Sequence, residues 1–135
     1  MKYIFLILFI ISGLFSSSKF TEEMKYETNY EIALNKAKNE NKNLMMLVTS
    51  ESCPWCRKLE RQTLRKEDIN DIIQKSYIPL NVDQDLKNYP KNFEVKYVPT
   101  VYFIDSKSGK IIQKSVGYKN KKEFSNILGK IKWKS

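Results

Sequence analysis

The clearest feature in the pattern of hydrophobic and polar positions is an unbroken apolar run from Leu44 to Thr49. It has the length of a strand and no alternation, which predicts a strand buried on both faces. Upstream, Tyr26, Tyr30, Ala33, Leu34 and Ala37 recur at three- and four-residue steps and predict an amphipathic helix over about Glu22 to Asn39, ended by the polar stretch Asn39 to Asn43. Downstream, Pro54 suits a first helical turn, and Leu59 and Leu64 give the helix that follows an inner face to about Arg65. Ile69, Ile72 and Ile73 mark another helical stretch. Tyr77 to Val82 and Val101 to Ile104 read as strands, and the turn signature Asp105 to Gly109 joins the second to a hairpin partner, Lys110 to Ser115. Gly117 stops that strand before a last helix, about Lys121 to Trp133, with Phe124, Ile127, Leu128 and Ile131 on one face. Early alternation of strand and helix implies parallel pairing and the late hairpin implies antiparallel pairing. An α/β fold with a central mixed sheet flanked by helices is therefore predicted.

A chain of 135 residues, 41% hydrophobic and 29% charged, has room for one domain with a real core. The formal charge of +9 raises the question of nucleic acid. Only Arg57, Arg61 and Arg65 among the 24 basic residues are arginines, and the lysines are spread along the chain, so a solvated basic surface is expected and no nucleic-acid partner.

The first residues have the character of an export signal. Lys2 supplies a positive start, Tyr3 to Ile11 is apolar, and Ser12 to Ser18 is rich in small residues. Ser16 and Ser18 suit the positions before a cut, which divides the chain into a signal peptide, 1–18, and a domain, 19–135. The apolar stretch to Phe15 is well short of the roughly 20 residues that span a bilayer. A periplasmic or secreted monomer without a stable membrane span is expected, with an uncleaved anchor as the alternative.

Chemistry concentrates in Cys53-Pro54-Trp55-Cys56, at the junction of the apolar strand and a helix. A helix start offers free N–H donors and a positive dipole end, both of which stabilise a thiolate at Cys53. Cys56, one turn on, can attack a mixed disulfide formed there and release the substrate. The competing accounts are a structural bridge, which would stabilise little across so short a loop, and a metal site. Zinc would need four ligands, yet the chain has two cysteines and no histidine. Two thiolates could hold Cu(I), so copper delivery stays open; no resident metal or cofactor is expected.

These stretches together resemble the thioredoxin superfamily over nearly the whole of 19–135. Leu44 to Cys56 is similar to its first core strand and CxxC helix, Leu80-Asn81-Val82-Asp83-Gln84-Asp85 to its next strand and acidic exit, and Tyr97-Val98-Pro99-Thr100 to the loop whose proline is cis. The small exported members with an added N-terminal helix and a Cys-Pro-aromatic-Cys site are the most similar group. The resemblance implies a thioredoxin fold and a thiol-disulfide oxidoreductase with Cys53 and Cys56 as its redox pair. It also implies a cis Val98–Pro99 bond, a Val98 backbone that pairs with substrate, and Trp55 as a docking platform or simply a packed ring. Its partners would be protein thiols and disulfides and an upstream redox protein.

Two positions depart from the family pattern. The buried aspartate and the lysine that assist proton transfer in many cytosolic thioredoxins are matched here by Leu47 and Pro79, which leaves Glu51 or water to serve. Alternatives are a partner-binding or copper-delivery module, a disulfide oxidase, or an isomerase, the last of which usually needs several domains or a dimer. The absence of a histidine between the cysteines tilts the expectation toward the reductase direction.

Overall fold

The computed structural model describes residues 16–131, so the apolar leader before Ser16 and Trp133 lie outside the described residues. The strand predicted from the apolar run is β1, Asn43–Thr49. It pairs in parallel with β2, Tyr77–Asp83, on one edge and antiparallel with β3, Thr100–Ile104, on the other; β3 pairs antiparallel with β4, Ile111–Val116. The sheet order is β2-β1-β3-β4.

Strand geometry divides the apolar run between two cores, because successive side chains point to opposite faces. Met45 and Leu47 join Val101, Phe103, Leu59, Leu64, Ile69, Ile73 and Phe124 on one face; Leu44, Met46 and Val48 join Ala33, Ala37, Leu80, Tyr102 and Ile104 on the other. The first face is covered by α3, Pro54–Leu59, with its π-helical continuation Glu60–Leu64, by α4, Glu67–Ser76, and by α5, Lys121–Lys130. The second is covered by α2, Tyr30–Asn39. Helices thus flank both faces, as the strand–helix order implies. An Asn120–Glu123 capping box starts α5, each residue's side chain taking the other's backbone N–H at 2.9 Å.

The helix expected over Glu22 to Asn39 is two helices. α1 covers Ser16–Glu23, and after Lys25, at φ 57°, the chain turns out of helical geometry. Glu27 then extends the edge of β2: its N–H donates to the Pro79 carbonyl at 2.8 Å, and its carbonyl accepts from the Asn81 N–H at 2.9 Å. Asn29 restarts the helix by accepting the Ile32 N–H at 3.0 Å. Tyr26 satisfied the helical spacing, yet it is buried from a non-helical segment, because an open strand edge offered its neighbour two backbone hydrogen bonds.

α1 belongs to the core. Phe20 has no exposed surface, and its ring meets Tyr26 at 4.9 Å and the Arg65 guanidinium at 5.4 Å. Emptying that position removes a fully buried aromatic, so Phe20→Ala is expected to cost about 3–5 kcal/mol. The loss should appear as a lower urea midpoint at unchanged slope; an unchanged midpoint would show that α1 is dispensable.

Candidate functional site

β1 ends at Thr49, and the turn Ser50–Ser52 carries the chain to Cys53, which caps α3 with extended backbone at φ −106° and ψ 101°. Pro54 follows in the first turn, where its missing N–H leaves no helical hydrogen bond unmade. Cys53 Sγ accepts the Cys56 N–H at 3.1 Å, the capping contact that an ionised sulfur at this position would strengthen. The two cysteines form a disulfide with Cα atoms 5.2 Å apart. Cys53 retains 8% of its surface and Cys56 none, so an incoming group can reach the first sulfur alone.

Opposite the disulfide, the Val98–Pro99 peptide bond is cis, and the Val98 carbonyl oxygen lies 3.8 Å from Cys53 Sγ. This loop is held from two sides. Thr100 Oγ1 donates to the Tyr97 carbonyl at 2.6 Å, and the Gly117 N–H donates to the Pro99 carbonyl at 2.8 Å. Gly117 makes that contact at φ +83°, which side-chain-bearing residues rarely adopt. Cys53, Cys56, Val98 and Pro99, singled out separately in the sequence, are therefore brought together.

Trp55 stands beside them, 56% exposed, with its ring 5.9 Å from that of Tyr118. The Lys58 ammonium lies over both rings, 4.8 Å and 4.7 Å from their centroids. Its charge is thus engaged by the aromatic faces. Tyr97, at the start of the cis-proline loop, is 69% exposed.

Leu47 is buried in the core on the face that α3 covers, and Pro79 is buried in β2. Glu51 is exposed in the turn before Cys53. The carboxylate that is buried near the pair is Glu60, which the hydrophobic pattern did not single out. It is 4% exposed, its Oε2 is 3.3 Å from Arg57 Nε, and among the described residues its Oε1 has no hydrogen-bond partner. Burial raises its pKa from the ordinary 4.5 to about 7, against the opposing pull of Arg57 and Arg65. Arg57 also donates to the Ser50 carbonyl at 3.2 Å and so ties this carboxylate to the turn before Cys53. Burial, and secondarily the Glu60 charge, push the Tyr26 hydroxyl upward. The available signal was positional: a glutamate four residues after Cys56, beside Leu59 on a helix whose inner face was already recognised.

A cysteine pair at the N-terminus of α3, facing a cis-proline loop, brings together the groups that thiol-disulfide exchange requires. The chain belongs to the thioredoxin-like domain family, whose model matches residues 30–132. It is 27% identical over 84 residues to anterior gradient protein 3 of Mus musculus, covering 62% of this chain and 51% of that protein. It is 29% identical over 140 residues to an uncharacterised protein of Borreliella burgdorferi, covering 98% of this chain and 61% of that one. The chain thus spans only about half to three fifths of these relatives. A thioredoxin from Thermus thermophilus superposes with a TM-score of 0.69 at 21% identity, over 78% of this chain and 85% of its own, a likeness of fold.

The raised pKa of Glu60 sets a pH dependence of stability. Between about pH 4.5 and 7 the folded chain keeps a proton that the unfolded chain gives up, so stability falls as pH rises through this window. The full effect above it is about 3 kcal/mol. Glu60→Gln cannot ionise and is expected to match the native protein at pH 4 and to exceed it by up to about 3 kcal/mol at pH 8. Denaturant melts at the two pH values check this; a variant less stable at pH 8 would contradict it.

Proposed function

We propose that the protein is exported and exchanges disulfides with protein substrates, with Cys53 as the attacking thiolate and Cys56 as the resolving thiol. The observation that carries this assignment is Cys53 Sγ at the start of α3, accepting the Cys56 N–H at 3.1 Å while Cys56 itself is wholly buried. The accessible sulfur takes the substrate, and the buried one closes the ring that releases it. The Val98 backbone and the Trp55 surface flank Cys53 and provide the docking contacts, the first by pairing with an extended peptide. Export is supported by Lys2, the apolar run Tyr3 to Ile11 and the small residues to Ser18. Cleavage after Ser18 would keep Phe20, and with it the core contact of α1. Among the described residues no helix is long and apolar enough to cross a membrane.

The reductase direction is favoured. A strong oxidant needs its thiolate stabilised by charge. The chain has no histidine, and the nearby Lys58 ammonium sits over the Trp55 and Tyr118 rings. A potential between about −150 and −270 mV is expected, measured by equilibration in glutathione or dithiothreitol buffers. A value near −120 mV would make the protein a donor of disulfides instead.

Cys53→Ser is expected to abolish reduction of insulin by dithiothreitol in the presence of the protein. Cys56→Ser should accumulate a mixed disulfide at Cys53, seen by mass spectrometry after acid quenching. Trapping at Cys56 in the Cys53 variant, with none at Cys53, would reverse the roles.

A further inference from the structure

The lysines of this protein are mostly free on its surface or answered by it. Lys36 and Lys121 reach the carboxylates of Glu27 and Asp68 at 3.1 Å and 2.7 Å, and Lys42 and Lys119 donate to backbone carbonyls at 2.9 Å and 2.7 Å. Lys58 is held without being neutralised. Its contacts among the described residues are the faces of Trp55 and Tyr118, 4.8 Å and 4.7 Å from the ammonium, and no carboxylate lies within ion-pair distance. A ring face attracts the charge, yet it leaves the three N–H donors without oxygen acceptors.

The ammonium is fixed by two elements. Trp55 and Lys58 are three residues apart on α3 and share a face, and a helical side chain leans toward the N-terminus, which carries the lysine back over the indole. Tyr118 closes the other side from the segment after β4. Its ring packs against the core, and its hydroxyl donates to Gln62 Oε1 at 3.0 Å. Lys58 is consequently only partly exposed beside a far more exposed Trp55. The segments that frame this platform, 54–64 and 117–120, carry Arg57, Arg61 and Lys119 besides Lys58. Their one carboxylate is Glu60, buried and paired with Arg57. The nearest exposed acid in the sequence is Glu51, in the turn before Cys53.

We propose that Lys58 binds a carboxylate of the substrate, so that the protein selects disulfides with Asp or Glu within about three residues of the cysteine it attacks. This deepens the exchange reading and rests on it. The ammonium stands over the first turn of α3, and an extended chain crosses the ~5.4 Å rise of one helical turn in about two residues. A peptide joined to Cys53 thus brings a nearby acidic side chain to Lys58, with the exposed indole under the residue between. The carboxylate supplies the oxygen acceptors that the rings do not. Because the lysine is already ordered in the free protein, little of its freedom is lost on binding, unlike that of a lysine free on the surface. The absence of an exposed carboxylate from the framing segments leaves no competitor there.

The test uses two disulfide-linked peptides, alike except for Asp or Asn two residues after the cysteine, each reacted with the reduced protein at pH 7. The ratio of their second-order rate constants is read within each variant, so a general loss of activity cancels, and the peptides' own reactivity is common to all variants. The native protein is expected to favour the Asp peptide about three- to tenfold at about 20 mM salt and less than about twofold at 500 mM, where screening acts within a few ångström. At low salt Lys58→Gln should lower the ratio to the high-salt value, Lys58→Arg should keep it, and Lys58→Glu should carry it below one. Lys107→Glu, in the turn at the far end of β3, alters the net charge as much as Lys58→Glu does and should retain the native ratio. A Gln variant with the native ratio, or an equal shift from Lys107→Glu, would overturn the proposal, the second by assigning the preference to the field of the whole protein. If the native protein reduces both peptides at one rate, the carboxylate site falls while the exchange reading stands; if it reduces neither, the exchange reading fails and the site with it.

Discussion

β1 is hydrogen-bonded along both edges and buried on both faces, and the position of every chemical group follows from that enclosure. With Leu44 through Thr49 all buried, the strand has one register that satisfies both cores, since a slip by one residue would exchange the two sets of side chains. The end of β1 is therefore a fixed point. Thr49 hands the chain to a short turn, and Cys53 begins α3 at the edge of the packed interior. The Gln84 N–H, donating to the Thr49 carbonyl at 2.9 Å, binds the exit of β2 to the same point.

The second half of the site is delivered by the long crossover between β2 and β3. Phe93 anchors it, buried against Tyr30 at 5.9 Å and Tyr102 at 5.2 Å, while the Tyr102 hydroxyl donates to the Glu94 carbonyl and Gln84 Nε2 donates to that of Val95 at 3.2 Å. These contacts bring an irregular segment back to the β1 exit, where Val98 meets Cys53. The pair of sulfurs is then divided by environment. Cys53 has the dipole and donors of the helix start and a sliver of solvent; Cys56 is wholly buried. Two cysteines three residues apart acquire different chemistry because one lies at the surface of the packed core and the other within it.

Where many cytosolic thioredoxins, which this chain resembles, carry a strand-borne acid, it has Leu47, and its buried acid is Glu60 on the helix. The exchange is physically consistent: Leu47 completes the packing under α3, and the carboxylate that remains is compensated by Arg57 and Arg65 instead of by a lysine in β2. Burial pushes the pKa of this carboxyl up to about 7, at some expense in stability at higher pH.

Most of the architecture was legible in the residues alone. The apolar run Leu44 to Thr49, the turn at Asp105 to Gly109 and the Phe124–Leu128 face each follow from local periodicity and turn chemistry, and the Cys53–Cys56 spacing at a strand–helix junction specifies the redox pair. The single helix expected over Glu22 to Asn39 failed because the competing partner, the edge of β2 at Pro79 and Asn81, lies some fifty residues away. Glu60 went unnoticed for a related reason: its isolation, its ion pair and its raised pKa come from burial between elements that helical spacing does not report. The sequence by itself determined which segments are helices and strands and which two thiols react, because those depend on neighbours within a few residues. Only the tertiary structure decided which thiol stays in reach of solvent, where the Val98–Pro99 loop rests and which carboxylate lies buried beside the pair, because exclusion of water arises only when distant segments pack together.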